Sequence, residues 1–237
     1  MPASRNLGYK AGQYVLLQVP VLSRWQWHPF TIFTCIANEL QLHIKTDGNW
    51  TGKLRKLGTS LGAAKIKIGI DGPCGAPAQR FYNFEQTIIV GAGIGITPFS
   101  GILTDLQAKE EQRIDLSSSD LETYKRVDFH WMVRDRNNLL WFSDLLNYIS
   151  VTTASSSSPS NIDFRITTYV TQKRKSFSTH IFRWLLEKYR TPEHPESLDT
   201  GLINATHFGR PDMKTIMNKH YEDMCVLLVA KKDLYRN

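Results

Sequence analysis

Three glycines, Gly91, Gly93 and Gly95, stand in the stretch IIVGAGIGITPFSGIL between an apolar run and the pair Thr97 and Pro98. Residues of that type at that spacing suit the binding of a pyrophosphate. Glycine lets the backbone approach an anion without side-chain obstruction. A strand that ends in glycines and opens a helix leaves N–H groups unpaired at the helix N-terminus, where the dipole also favours negative charge. The pattern is not G-x-G-x-x-G, because its third glycine would fall at Ile96. Thr97 is placed to cap the helix, and Pro98 fits its first turn, where a missing N–H costs nothing. A tight strand-to-helix turn with no ligand is the other reading of this stretch.

The next apolar run, VDFHWMV, ends in RDRNN. In adenine dinucleotide sites an acidic residue at the end of the second strand holds the ribose hydroxyls, whereas an arginine there accommodates a 2′-phosphate. Arg134 and Arg136 therefore favour NADPH over NADH, the alternative being a solvated arginine pair. No Ser-His-Asp arrangement and no metal-ligating cluster competes for the active site. Cys35, Cys74 and Cys225 are odd in number and contain no C-x-x-C pair, which indicates neither a disulfide framework nor a zinc site.

The elements that must position these residues fall into two patterns. From Tyr9 to Gly72 the runs QYVLLQVP, FTIFTCI, LQLHIKT and AKIKIGID have strand length and are bounded by Gly, Pro, Asn or Asp, with WTGKLRKLG as a short helix between them. That spacing predicts an antiparallel barrel or sandwich. From Phe81 onward QTIIVGAG, VDFHWMV and FRITTYVT read as strands. They alternate with helices at TPFSGILTDLQAK, LLWFSDLLNYI and STHIFRWLLEKY, which predicts βαβ units and a parallel sheet. EEQRIDLSSSDLETYK and TTASSSSPSN read as solvated loops, the second flexible.

The 237 residues suffice for two modest domains, 1–80 and 81–237, with the boundary near PAQRFYNFE after the Gly-Pro-x-Gly turn at Gly72 to Gly75. Hydrophobic and charged fractions of 41% and 22% exclude disorder across the whole length. Basic clusters such as KLRKL, KIK and TQKRK spread the net charge of +7 through the chain. A basic surface suits nucleic acid, anionic lipid or a phosphorylated cofactor, or is simply solvated; no zinc-finger spacing or aromatic RNA-binding signature supports nucleic acid. No run of 18 apolar residues occurs, and the first ten residues lack the apolar core of a signal peptide. The polypeptide reads as soluble and intracellular, and NWT and NAT as chance matches to the glycosylation pattern.

The stretches KAGQYVLLQVPVLSRWQWHPFTI, LHIKTDGNWT, IDGPCGAPAQ, VGAGIGITPF, FHWMVRDRNNLLWFSDLL and THFGRPDM cover most of the chain. In that order they resemble the ferredoxin-reductase-like flavoproteins, and in detail the dehydrogenase domain of NADPH oxidases and their ferric reductase relatives. The resemblance implies an antiparallel FAD-binding β-barrel, incomplete at its N-terminus, followed by an α/β parallel-sheet NADPH-binding domain. It places His28, Pro29, Phe30 and Thr31 along the flavin and its ribityl chain, with the Thr31 hydroxyl holding the reactive edge toward the nicotinamide. His43, Ile44, Lys45, Trp50 and Thr51 match the second flavin segment, Lys45 facing the flavin pyrophosphate together with the helix that begins near Thr51. Gly72, Pro73 and Gly75 match the turn where the two domains meet, near both cofactors. Gly91, Gly93, Ile94, Gly95 and Thr97 would bind the NADPH pyrophosphate, and Arg134 and Arg210 would face its 2′-phosphate.

Two departures from the family pattern concern the ends. The chain begins only a few residues before KAGQY, where the family's barrel has earlier strands. CVLLVAKKDL stands where the family has a last strand ending in Cys-Gly-Pro, so Val229, Ala230 and Lys231 replace those residues and Cys225 does not substitute. The terminal aromatic that shields the flavin is missing as well. The expectation is the cytosolic dehydrogenase part of a membrane oxidoreductase, moving hydride from NADPH to FAD and electrons onward to haem and dioxygen to give superoxide. Haem would lie in a membrane domain outside this chain, which would be its partner at the cytosolic face, with regulatory subunits as further candidate partners. A ferric-chelate reductase and a regulatory module that has lost turnover are the alternatives.

Overall fold

The computed structural model describes residues 9–36, 39–61, 66–75, 77–116, 125–155, 161–172 and 177–234. Contacts divide the chain into two compact units, Met1–Phe84 with Ile94–Leu121, and Glu85–Gly93 with Glu122–Asn237.

The first unit is built on four antiparallel strands, β1 (Tyr14–Gln18), β2 (His28–Ile36), β3 (Glu39–Leu42) and β4 (Gly69–Cys74), in the order β3-β2-β1-β4. This is a half-barrel. In β1 the alternation of apolar and half-exposed residues buries Val15 and Leu17 while Tyr14, Leu16 and Gln18 turn the other way. Helix α1 (Asn49–Leu61) connects β3 to β4. Gly72 lies inside β4 at φ +129, with an added Cβ only 3.2 Å from the Tyr14 carbonyl, so only glycine fits there. The expected Gly72–Gly75 turn is thus largely strand, and the strand starts at Gly69 and not at Ile66 or Lys67; the beginning of the expected AKIKIGID strand lies outside the described residues.

Helix α2 (Thr97–Leu116) packs on β2 within the same unit. Ser100, Leu103, Gln107 and Glu110 are buried at helical spacing, with Ile102 and Leu106 beside them. Gly101 admits the close approach, since its Cβ would meet the Tyr9 hydroxyl at 3.1 Å and the Phe33 carbonyl at 3.3 Å. The Tyr82 hydroxyl donates to Asp105 Oδ2 at 2.6 Å, and burial together with that carboxylate pushes the phenol's pKa up. The helix runs through EEQRIDL, which reads as loop in the sequence; 117–124 lies outside the described residues.

The second unit carries four parallel strands, β5 (Gln86–Ala92), β6 (Lys125–Val133), β7 (Ile162–Val170) and β8 (Thr206–Phe208), in sequential order. Strand β6 is doubly buried, but its two faces differ. Val127, Phe129, Trp131 and Val133 form the apolar face; helix α3 (Ser143–Ser155), with Leu146 and Ile149 buried, packs on β7. Arg126 and Asp128 occupy the other face as a bidentate pair at 3.0 and 2.8 Å. Helix α4 (Phe177–Lys188) follows β7, and helix α5 (Met213–Leu234) follows β8. Asp223 of α5 takes a bond from Arg126 at 2.8 Å, and His220 bonds Asp128, so charge ties this helix to the sheet. Pairing is what makes those buried charges tolerable.

Two expectations change here. Helix α3 continues through Thr152 and Thr153 to Ser155, so part of the serine-rich loop is helix, and 156–160 lies outside the described residues. The segment expected to be a last strand, CVLLVAKKDL, is the continuation of α5. A run of five apolar residues has no period of its own, and here it extends a helix already begun at Met213.

Candidate nucleotide-binding sites

Strand β5 delivers the glycine turn. Gly91 lies within the strand, paired with Trp131, so only Gly93 and Gly95 belong to the turn itself, a 3-10 segment Gly93–Ile96 that runs directly into α2. Gly93 adopts φ +54, a conformation glycine takes readily. Its carbonyl accepts a hydrogen bond from Trp131 Nε1 at 3.0 Å. The sequence held no local sign of this anchor, since Trp131 reads as one more apolar residue of a strand. Gly95 has ordinary backbone angles, and a Cβ added there would meet nothing within 4 Å. Neither packing nor conformation of the protein demands glycine at 95, which suits a surface kept bare for something else.

Thr97 is buried, and its hydroxyl donates to the Ile94 carbonyl at 2.7 Å. That proton is spent on closing the turn, so the hydroxyl does not donate to an anion. The contribution left to Ile94 and Thr97 is their backbone.

The arginines sort themselves. Arg136 is held through Nη1 by Asp199, which also pairs with the buried Arg183 at 3.1 Å, so part of its guanidinium is already engaged within the protein. Its partner is far away in sequence and could not be foreseen. Arg134 and Arg210 are exposed, and neither guanidinium is engaged among the described residues. Val133, Val170 and Phe208 form one row across β6, β7 and β8. With neighbouring strands about 4.8 Å apart, the chains carrying the two arginines leave the same sheet edge roughly 10 Å apart. Two long side chains span that distance, and the glycine turn leaves β5 at the same edge, since Ala92 pairs with Met132.

In the first unit, strand pleating splits the segment His28–Thr31. His28 and Phe30 sit opposite Leu17 and Val15 on one face, Pro29 and Thr31 opposite Leu16 and Tyr14 on the other. The four side chains therefore divide between the two faces of the sheet. Trp50, in the first turn of α1, stacks on the His28 face with ring centroids 4.3 Å from His28 and 6.1 Å from Phe30. His28 Nε2 and Trp50 Nε1 are buried and have no hydrogen-bond partner among the described residues. Buried polar atoms are ordinarily paired, so two orphans side by side mark a place for a polar ligand.

His43, Ile44 and Lys45 lie just past β3. His43 meets Phe33 edge-on at 4.5 Å, and burial lowers its pKa, favouring the neutral ring. Lys45 pairs with Asp47 at 2.6 Å on the surface, a weak bond that an anion can displace. The Thr51 hydroxyl accepts from the Gly48 N–H at 3.0 Å, which orders the start of α1. Gly75 is exposed beyond β4, and Gly72 and Pro73 serve the strand. Among the described residues no group of His, Cys, Asp and Glu forms a metal site.

Residues 1–78 match the family model of an FAD-binding domain, and residues 84–230 that of the ferric reductase NAD binding domain. The chain belongs to the ferric reductase NAD-binding family. Its curated relatives include two superoxide-generating NADPH oxidase heavy chains of Dictyostelium discoideum. The first is 31% identical over 90% of this chain and 31% of its own length, and the second is 32% identical over 95% and 42%. Dual oxidase 1 of Rattus norvegicus is 32% identical over 90% of this chain and 13% of its own length. The chain thus spans between about an eighth and two fifths of these relatives. Among solved structures, an Amycolatopsis cytochrome P450 reductase aligns with 17% identity and a TM-score of 0.48, covering 93% of this chain and 59% of that one. A Neisseria gonorrhoeae ferredoxin NADP+ reductase with bound FAD and NADP aligns with 20% identity and a TM-score of 0.42, covering 92% and 80%.

The bare surface at Gly95 leads to an expected result. Gly95→Ala should leave the unfolding midpoint nearly unchanged, because the added Cβ meets no protein atom within 4 Å, while weakening NADPH binding about tenfold or more. Equal binding by variant and wild type in a fluorescence titration would remove Gly95 from the site.

Proposed function

We propose that this chain is the dehydrogenase part of a membrane NADPH oxidase-like flavoprotein, with an FAD-binding region over 1–80 and an NADPH-binding region over 81–237. Electrons would pass on to haem in a membrane domain of the longer protein and then to dioxygen, giving superoxide, at the cytosolic face of that membrane. The carrying observation is the pair of unpartnered buried nitrogens on His28 and Trp50, in the region that matches an FAD-binding family. FAD supplies the exchange between two-electron and one-electron chemistry. The protein's residues position and neutralise. His28 Nε2 and Trp50 Nε1 donate to the flavin's polar chain, while Lys45 and the first-turn N–H groups of α1 face its pyrophosphate. Thr31, on the opposite face of β2, offers the hydroxyl assigned to the reacting edge. Gly93 and Gly95 bare the backbone to the nicotinamide dinucleotide, and Arg134 and Arg210 bind its 2′-phosphate.

A ferric-chelate reductase uses the same residues and differs in its final acceptor. A regulatory module that has lost turnover is favoured by one observation, that α5 is helix where the family resemblance implies a cysteine-bearing strand. Equilibrium titration with FAD tests the binding half of the proposal. One flavin per chain is expected, with His28→Ala binding it more weakly; a chain that takes up no FAD contradicts the reading.

A further inference from the structure

Basic clusters lie along the whole chain, but the net charge does not, which corrects the even spread read from the clusters alone. Residues 1–84 carry ten Lys or Arg against three Asp or Glu, whereas 85–237 carry nineteen of each, so the whole excess of +7 belongs to the first stretch. The same stretch displays the most exposed tryptophan of the described chain. Between β1 and β2, Val21 is 70% and Trp25 90% exposed, with Trp27 half-exposed. Trp27 lies over Gly69, where an added Cβ would meet its ring at 3.2 Å, on the sheet face opposite to Ile70, which pairs with the buried Leu17. Val21, Trp25 and Trp27 are thus the exposed apolar side chains of this one loop.

This loop is ordered without being buried. The N–H groups of Leu22 and Ser23 donate to the Val19 carbonyl at 2.9 and 3.0 Å, and Ser23 Oγ accepts from the N–H of Trp25 and of Gln26. Arg24 on this loop and Lys67, two residues before the Gly69 that Trp27 covers, are exposed and engage no carboxylate among the described residues, and 19–28 contains no acid. Indole rings presented beside long basic side chains, with no acidic residue between them, suit the headgroup layer of a bilayer, where the ring spans the polar boundary and the cation meets a lipid phosphate.

We propose that the β1–β2 loop docks this chain on an anionic lipid surface. A protein partner would need carboxylates facing Arg24 and Lys67; a bilayer supplies the negative charge everywhere along its plane. This proposal does not depend on nucleotide binding. Its test is flotation of the full chain with vesicles of phosphatidylcholine alone and of phosphatidylcholine with about 30 mol % phosphatidylserine. Wild type should float with the anionic vesicles and about tenfold less with the neutral ones, and salt should weaken the binding. Trp25→Ser, which removes a side chain that supports no core, should cut binding about tenfold on anionic vesicles at an unchanged unfolding midpoint. Arg24→Glu should lower it on anionic vesicles only. No flotation with either vesicle, or flotation indifferent to Trp25→Ser, overturns the proposal and leaves the surface to a protein partner.

Discussion

Arg134→Glu is expected to raise the dissociation constant for NADPH about 10- to 100-fold while changing that for NADH by less than about threefold. The range follows from a charge-assisted pair being worth roughly 1.5–3 kcal/mol, each 1.4 kcal/mol being a factor of ten. Arg134 is the right residue for this comparison because it is exposed at the carboxyl end of β6 with its guanidinium unengaged among the described residues, so its replacement breaks no described contact of that group. Arg136 is the internal control. It is tied to Asp199, and Arg136→Glu should cost stability without selecting between the two nucleotides. Titration of each protein with each nucleotide checks the result. Equal losses for NADPH and NADH on Arg134→Glu would end the 2′-phosphate assignment.

Trp131→Ala is expected to destabilise the chain by about 3–5 kcal/mol, the usual cost of emptying a large aromatic from a packed interior. Trp131 is fully buried, meets Phe142 edge-on at 5.7 Å, and donates its indole N–H to the glycine turn. The substitution leaves the Gly93 carbonyl without its donor as well as a cavity beside it. Trp131→Phe separates the two roles, keeping most of the packing while removing the N–H. It should lower the denaturation midpoint modestly and weaken nucleotide binding by a larger factor than its stability loss accounts for. The check is urea denaturation, with unchanged slope, set beside the NADPH titration. A Trp131→Phe protein that binds NADPH as wild type does would show that the anchor is structural only.

Much of this was legible in the sequence, for identifiable reasons. VDFHWMV and FRITTYVT are runs too apolar to be exposed, and they became β6 and β7 of a parallel sheet. The glycine turn and Arg134 could be read because backbone freedom and fixed charge are local properties. What failed was what depends on distant residues. Arg136 looked equivalent to Arg134 until Asp199 took it. Which of His28, Pro29, Phe30 and Thr31 share a face depends on the pairing of β2 with β1. The Glu-Glu-Gln-Arg stretch was polar enough to pass for loop, although each of those residues is a good helix former, and α2 runs through it. Strand β8 is three residues long, too short to show a period.

The most direct measurement is anaerobic addition of NADPH to the FAD-loaded chain, followed by the visible flavin absorbance. The account predicts stoichiometric bleaching by NADPH, much slower bleaching by NADH at equal concentration, and return of colour on admitting an oxidant. A flavin-loaded chain whose colour NADPH leaves untouched would contradict it.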